Sequence, residues 1–343
     1  MRDAVAVVVP TPTDYLRNLV RGIMRCFRGH GQPFVLLDDF GPLPRVGRRI
    51  GGVLGFVTNA QAIAALRRMR RPVVNLSSRM ADVPFPSVLP DNHEAGRIAA
   101  EYLVKAGFRH FAYVSRGDML YSRERHTGFD AALRARGFSS PVLPPVPHVE
   151  LTSKAERRDA ARLWRASLTL PMGIYCADDA VGRTAVGACR EAGIKVPTQV
   201  SVIGTTNDEF ACEKADPPLS SVDINAVQIG FEGAALMLRL LDGHKPPRGP
   251  LRVPPRGLVV RESSSDVAGL EPSLARVIAH IRAEGGKGLR VADVTTAFGL
   301  SRSVLYRLFR DSVGHSPAKE IMLARLARAK ALLVDTDQTL KSI

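Results

Sequence analysis

The sequence is poor in cysteine and has no long apolar run. Its four cysteines, Cys26, Cys176, Cys189 and Cys212, are scattered over 343 residues. None forms a C-x-x-C pair, and no histidine neighbours one at zinc-ligand spacing. A disulfide framework and a zinc ribbon are thereby excluded, which leaves four packing thiols. No stretch of about 18 apolar residues occurs, which excludes a transmembrane helix. The opening "MRDAVAVVVPTPTDYL" is no secretory signal. Its apolar run stops at Val9, and a strand followed by a polar loop accounts for it. The chain is therefore expected to be cytoplasmic, with no membrane partner. Enzyme signatures are missing too. There is no P-loop and no G-x-S-x-G, and "GGVLGF" (51–56) lacks the spacing of a dinucleotide site. With eight dispersed histidines and no catalytic constellation, neither an enzyme nor a cofactor is expected.

Positive charge is what the chain has in excess, with a formal net charge of +15. Residues 1–80 carry 13 Lys+Arg against 4 Asp+Glu, and residues 271–343 carry 12 against 7. Such a balance permits a nucleic-acid partner without locating it. The larger excess is N-terminal, where an arginine-rich surface is a sufficient reading.

From residue 1 to 262, short apolar runs alternate with helical periodicity. "AVAVVV" (4–9), "PFVLLD" (33–38), "GGVLGFV" (51–57), "PVVNLS" (72–77), "HFAYVS", "MGIYCA" and "SVIGT" read as strands. Residues 15–31 carry apolar side chains at 16, 19, 20, 23, 24 and 27, an i, i+3, i+4 stripe. The alternation predicts an α/β unit, a parallel sheet with helices on both faces that binds ligands at the carboxyl ends of its strands. "SSSDVAGLEP" (263–272) reads as a linker. Beyond it, 273–343 reads as a separate all-α unit with helices near 273–284, 291–298, 302–312 and 317–334.

"VADVTTAFGLSRSVLYRLFRDSVG" is a helix, a glycine-containing turn and a second helix, with Ser301 placed to cap the second. Val291, Val294, Phe298, Val304, Leu305, Leu308 and Phe309 are the expected core. Arg302, Ser303, Tyr306, Arg307 and Arg310 are left outside. A helix-turn-helix that reads a major groove and a plain helical hairpin with solvated arginines both satisfy this periodicity. The detailed sequence resembles the AraC/XylS family of transcriptional regulators. Ser301, Leu305, Arg307, Phe309, Gly314, Ser316 and Pro317 fall on that family's motif, followed by the long helix "ARLARAKALL". The resemblance puts Ser303, Tyr306 and Arg307 at base-reading positions. Members carry a second helix-turn-helix where this sequence reaches "TLKSI", so a truncated DNA-binding domain is expected.

Residues 1–262 resemble the periplasmic-binding-protein-like sensor of lac-repressor-type regulators. The matching stretches are "PDNHEAGRIAAEYLVKAGFRHFAYV", "RERHTGFDAAL", "IYCADDAVGRTAVGACREAGIKVPTQVSVIGTTND" and "PPLSSVDINAVQIGFEGAALML". The fusion of two such units is typical of xylose-operon regulators. It implies a two-lobed sensor for a sugar, D-xylose by resemblance, in a homodimer that binds double-stranded DNA, with RNA polymerase as a further candidate partner. Candidate sugar contacts are Asp14, Arg125, Asp178, Thr206 and Asn225. Four of them have a structural alternative: a salt bridge for Arg125, a helix cap for Asp178 and for Asp14, a turn for Asn225. Asp179 reads as a cap. Thr206 stands where the family carries a sugar-binding aspartate. The alternative function is a sugar-binding module that has lost specific DNA binding with the second helix-turn-helix.

Overall fold

The computed structural model describes residues 3–43, 50–146, 154–264, 272–285, 288–313 and 315–335. The chain divides into two compact units, residues 1–265 and 266–343. Residues 265–271, most of the expected linker, and "TLKSI" lie outside the described residues. Ser263 and Ser264 do not behave as linker. Both are buried, and Ser263 Oγ donates to Val202 O at 2.6 Å while accepting from Ser220 N at 2.8 Å. These bonds stitch the segment to two neighbouring strands, so the first unit runs past 262.

In the first lobe of unit one, β1 (Ala4–Val8), β2 (Phe34–Leu37), β3 (Ile50–Gly55) and β4 (Val73–Asn75) form a parallel sheet in the order β2-β1-β3-β4. Along the first strand the side chains alternate between two cores. Val5, Val7 and Val9 pack with α1 (Asp14–Gly29), while Ala6 and Val8 pack with α2 (Ala60–Met69). Burial on both faces is why "AVAVVV" is a continuous apolar run. Thr13 starts α1 by accepting from Leu16 N, and the predicted stripe of Leu16, Leu19, Val20, Ile23 and Phe27 is buried.

In the second lobe, β6 (His110–Val114), β7 (Met172–Cys176), β8 (Val200–Thr205), β9 (Ser220–Asp223) and β11 (Gly257–Val259) lie in the order β11-β9-β8-β7-β6. All neighbours are parallel except β11, which runs antiparallel to β9. One face carries α3 (Asn92–Lys105) and α4 (Leu120–Arg134), the latter setting Phe129 against Tyr175 with ring centroids 5.1 Å apart. The other carries α5 (Lys154–Ala166) and α6 (Asp179–Glu191) over Ile174 and Cys176. A short α7 (Glu209–Glu213) follows β8. All four cysteines are buried and free.

The chain crosses between lobes through β5 (Val88–Pro90) and β10 (Leu251–Val253), which pair in parallel. After β9, α8 (Ala226–Leu241) returns to the first lobe and packs on α1. Glycines permit that contact. A Cβ on Gly22 would lie 1.9 Å from Val227 O, and one on Gly230 would lie 2.0 Å from Leu19 O.

Unit two consists of α9 (Pro272–Glu284), α10 (Val291–Phe298), α11 (Arg302–Ser312) and α12 (Pro317–Asp335). Its core is Leu274, Val277, Ile278, Ile281, Val294, Leu305, Phe309 and Ile321. Val291, Phe298 and Leu308 pack at its edge. Val304, expected inside, instead borders a surface groove, because it lies off the Leu305–Phe309 stripe. Glu320 is buried and compensated by Arg282 and His315, each at 2.8 Å.

The glycine contact gives a prediction. Gly22→Ala destabilises unit one by about 2–3 kcal/mol, since backbone must move. Gly187→Ala, at a helical position with nothing within 4 Å, stabilises it by up to about 1 kcal/mol. Urea unfolding of both variants checks this, and equal effects would show that the helices do not touch there.

Candidate functional site

Between the lobes lies a cavity of about 300 Å³, at the small end of ligand pockets. Its lining comes mostly from segments that follow strand ends. Thr13, Tyr15 and Leu16 come after β1, Phe56 after β3, and Ser78 and Arg79 after β4. Arg116 comes after β6, Asp178 and Asp179 after β7, and Thr206 and Asp208 after β8. Parallel strands all point their carboxyl ends at this cleft, so loops from both sheets converge there. Tyr15 and Phe56 meet edge to face, with centroids 6.4 Å apart, and supply an aromatic wall.

Arg125, on α4, reaches the cleft from a buried position. Its Nε donates to Asn92 Oδ1 at 2.9 Å, one terminal nitrogen donates to Ala177 O, and its guanidinium stacks 4.9 Å from the Tyr121 ring centre. Asn92 in turn donates to Glu124 Oε2 at 2.8 Å. Glu124 is held at 2.6 Å by Arg252 of β10. The predicted salt-bridge alternative for Arg125 is not what the structure shows: its partners are neutral.

Asp178 combines the two roles weighed for it, and Asp179 does not take the cap expected of it. Asp178 lines the cleft and also caps α6, accepting from Val181 N at 2.9 Å. It further meets Arg116 at 3.2 Å and accepts from Tyr121 Oη at 3.3 Å. Burial pushes the Tyr121 hydroxyl up to about 12. Asp179 caps nothing. It is buried and accepts from Ser221 Oγ at 2.5 Å, Thr206 Oγ1 at 2.7 Å and Asp208 N at 2.8 Å. Burial pushes its carboxyl up to about 6, against the pull of those three donors.

Thr206 borders the cleft, but its hydroxyl is committed to Asp179 and its φ is 113°. That backbone conformation is rare for a β-branched residue and is held in place by the surrounding bonds. The carboxylate that the cleft receives from this loop is Asp208, two residues later. Its Oδ2 accepts from Asp14 N at 2.8 Å, at the start of α1 on the opposite lobe.

Asp14 and Asn225 are not among the lining residues. Asp14 is bound to Arg17 at 2.6 Å and to Phe210 N at 3.4 Å, and the Arg17 guanidinium holds its carboxyl below the usual carboxylate range. It does not cap α1 either, since Thr13 does. Asn225 precedes α8 with φ 61°, a left-handed turn that asparagine tolerates. Tyr15, Phe56, Ser78, Arg79, Arg116, Tyr121 and Asp208 had no signal in their residue types. Their positions just beyond predicted strands were the available clue for all but Tyr121.

A second concave surface belongs to unit two. Ser303, Val304, Tyr306, Arg307, Arg310, His315 and Ser316 border a groove of about 600 Å³ along α11. Gly299, with φ 62°, turns the chain between α10 and α11, and Ser301 Oγ accepts from Val304 N at 3.3 Å. Arg302, Ser303, Arg307 and Arg310 are exposed, Tyr306 is half-buried, and the Arg302 guanidinium lies 5.6 Å from the Tyr306 ring centre. All five predicted residues thus share one helix.

Residues 100–264 match the family model of a periplasmic binding protein-like domain. Along its whole length the chain is similar to the xylose operon regulatory protein of Escherichia coli (strain K12). Identity is 28% over 356 aligned positions, covering 100% of this chain and 90% of that protein. It is also 26% identical to the protein of that name in Haemophilus influenzae, over 86% of this chain and 78% of that one. Among solved structures, the xylose-binding transcription activator xylR superposes with a TM-score of 0.72 at 24% identity, covering 99% of this chain and 90% of that one. The transcriptional regulator CelR in complex with cellobiose gives 0.60 at 25% identity, covering 77% and 86%. These proteins are transcriptional regulators rather than enzymes. Among the described residues, no helix is long and apolar enough to cross a membrane.

The Asp179 environment fixes the sign of a pH effect. A carboxyl with a folded value near 6 and an ordinary value of 3.8 holds its proton more tightly when folded. Its contribution to stability is full below about pH 4 and lost as pH rises through about 6, amounting to about 3 kcal/mol. The stability advantage of the wild type over Asp179→Asn should therefore shrink between pH 4 and 7 in urea titrations. An advantage independent of pH would contradict this environment.

Proposed function

We propose that this chain is a sugar-responsive, DNA-binding transcriptional regulator. One observation carries the reading. A cleft built from the strand ends of two lobes, with an aromatic wall and a buried arginine, sits on the same chain as a helix–turn–helix of AraC/XylS-like sequence with exposed arginines. In this reading Arg125, Asp178 and Asp208 contact the sugar, and closure of the lobes repositions the paired readers of a homodimer on double-stranded DNA. Thr206 acts by holding the loop, while Asp14 and Asn225 support the cleft from outside. Ser303, Tyr306 and Arg307 face base edges, and Arg302 and Arg310 the phosphates. The regulatory names of the relatives support this reading, and xylose, which those names carry, is the reference sugar for testing it.

Thermal unfolding of the full chain against a panel of sugars tests the sensor. A binding sugar at 100 times its Kd should add about 2.7 kcal/mol to stability. A panel with no stabilising sugar would contradict the sensor reading.

The reader is tested on oligonucleotides selected from a random pool with the full chain. Arg307→Ala should weaken binding to the selected sequence by about 1–3 kcal/mol without moving the unfolding midpoint, because the residue is exposed. If no sequence is enriched, and binding disappears equally for all sequences as salt rises, the chain is a sugar-binding module without specific DNA recognition.

A further inference from the structure

The arginine of the cleft is aimed from outside the cleft. Arg125 lines it, but Asn92, Glu124 and Arg252, which stand behind that arginine, do not. They come from three separate elements. Asn92 opens α3, Glu124 precedes Arg125 on α4, and both are buried; Arg252 lies on the crossing strand β10. Arg252 grips Glu124 with both terminal nitrogens, Nη2 to Oε1 at 2.6 Å and Nη1 to Oε2 at 3.0 Å. Its Nη1 also donates to Pro90 O, on the other crossing strand, at 3.3 Å. The inventory of donors and acceptors gives this chain a direction. A carboxylate only accepts and a guanidinium only donates. Asn92 lies between one of each, so a single orientation of its amide satisfies both neighbours. Nδ2 donates to Glu124 Oε2 at 2.8 Å, and Oδ1 accepts from Arg125 Nε at 2.9 Å. With Nε fixed there, a terminal nitrogen donating to Ala177 O and the Tyr121 ring against its plane, the guanidinium is held at three points while it lines the cleft.

We infer that Glu124 and Arg252 are positioning residues for the ligand: their ion pair fixes the Asn92 amide, the amide fixes Arg125, and ligand affinity is thereby tied to the crossing strands. The inference rests on the sensor reading and deepens it, since it assigns a part in recognition to residues that do not line the cleft. Glu124→Gln keeps the shape of the side chain but removes the direction. A glutamine can turn a donor toward Asn92, which frees Asn92 to turn its own donor toward Arg125. Arg252→Ala removes the grip on Glu124 from an exposed position.

Calorimetric titration of the full chain and its variants with D-xylose, D-ribose, D-glucose and cellobiose tests this. Glu124→Gln and Arg252→Ala should each weaken a sugar that binds the wild type by about tenfold. The double variant should lose no more than either alone, because both act through one amide. Arg252→Lys, which keeps a charge beside Glu124, should recover part of the loss. A second readout needs no sugar. The Arg125 Nε–H resonance in arginine-labelled protein, assigned by its absence in Arg125→Lys, should shift in Glu124→Gln and in Arg252→Ala. Should Glu124→Gln fail to fold, the two Arg252 variants carry the test. Affinities within about twofold of the wild type overturn the inference and leave the sensor reading intact, whatever the urea midpoints do. A loss of affinity with the Arg125 resonance unmoved, or losses that add in the double variant, also overturn it. Binding of no sugar by the wild-type chain overturns both readings.

Discussion

The cleft depends on one buried carboxylate. Asp179 sits under the loop after β8 and takes hydrogen bonds from Ser221, Thr206 and the Asp208 amide. Those bonds hold Thr206 at its positive φ together with Thr206 N donating to Val222 O and Asn207 N donating to Ser221 Oγ, each at 3.0 Å. That turn carries Asp208 to the N-terminus of α1 in the other lobe. An anion there meets unpaired amides and the positive end of a helix dipole. A buried side chain at the edge of the cleft thus bears on how the two lobes meet.

A second chain of bonds runs from the crossing strands. Arg252 of β10 pairs with Glu124, Glu124 accepts from Asn92, and Asn92 accepts from Arg125. The cationic centre of the cleft is therefore tied to the segment about which the lobes would move. Under the proposed function, a ligand that contacts both Arg125 and Asp208 acts on the Asp208 contact and on the strand that carries Arg252. That is the differential interaction a ligand-driven shift between open and closed states requires.

Much of this architecture was legible in the sequence because its cause is local. The alternation of apolar runs and helical stripes placed β1, α1 and the helices of unit two within a residue or two. Double burial makes a run like 4–9 unmistakable. The strands β5, β9, β10 and β11 were not seen, since they are short and sit in stretches interrupted by proline, serine or arginine. Their pairing is set by partners far along the chain. In the cleft, Arg125 and Asp178 were visible through motif resemblance. That Asp178 rather than Asp179 caps the helix was not, because two adjacent aspartates after a strand look alike until the third neighbour, Ser221, arrives from 42 residues away. Asp208 escaped for a related reason. The expected aspartate was sought at 206, and the turn conformation that brings 208 into the cleft is a tertiary effect.

The central claim is that the Asp208 contact with the start of α1 holds the lobes at their observed separation. Spin labels on cysteines introduced at Arg68 in α2 and Arg190 in α6, both exposed, would report that distance by pulsed dipolar spectroscopy. The four native cysteines are buried, which favours selective labelling. The account predicts a narrow distribution in the otherwise wild-type chain and a longer, broader one in Asp208→Ala. Identical distributions in the two would contradict it, and would leave the Asp179 network without a role in joining the lobes.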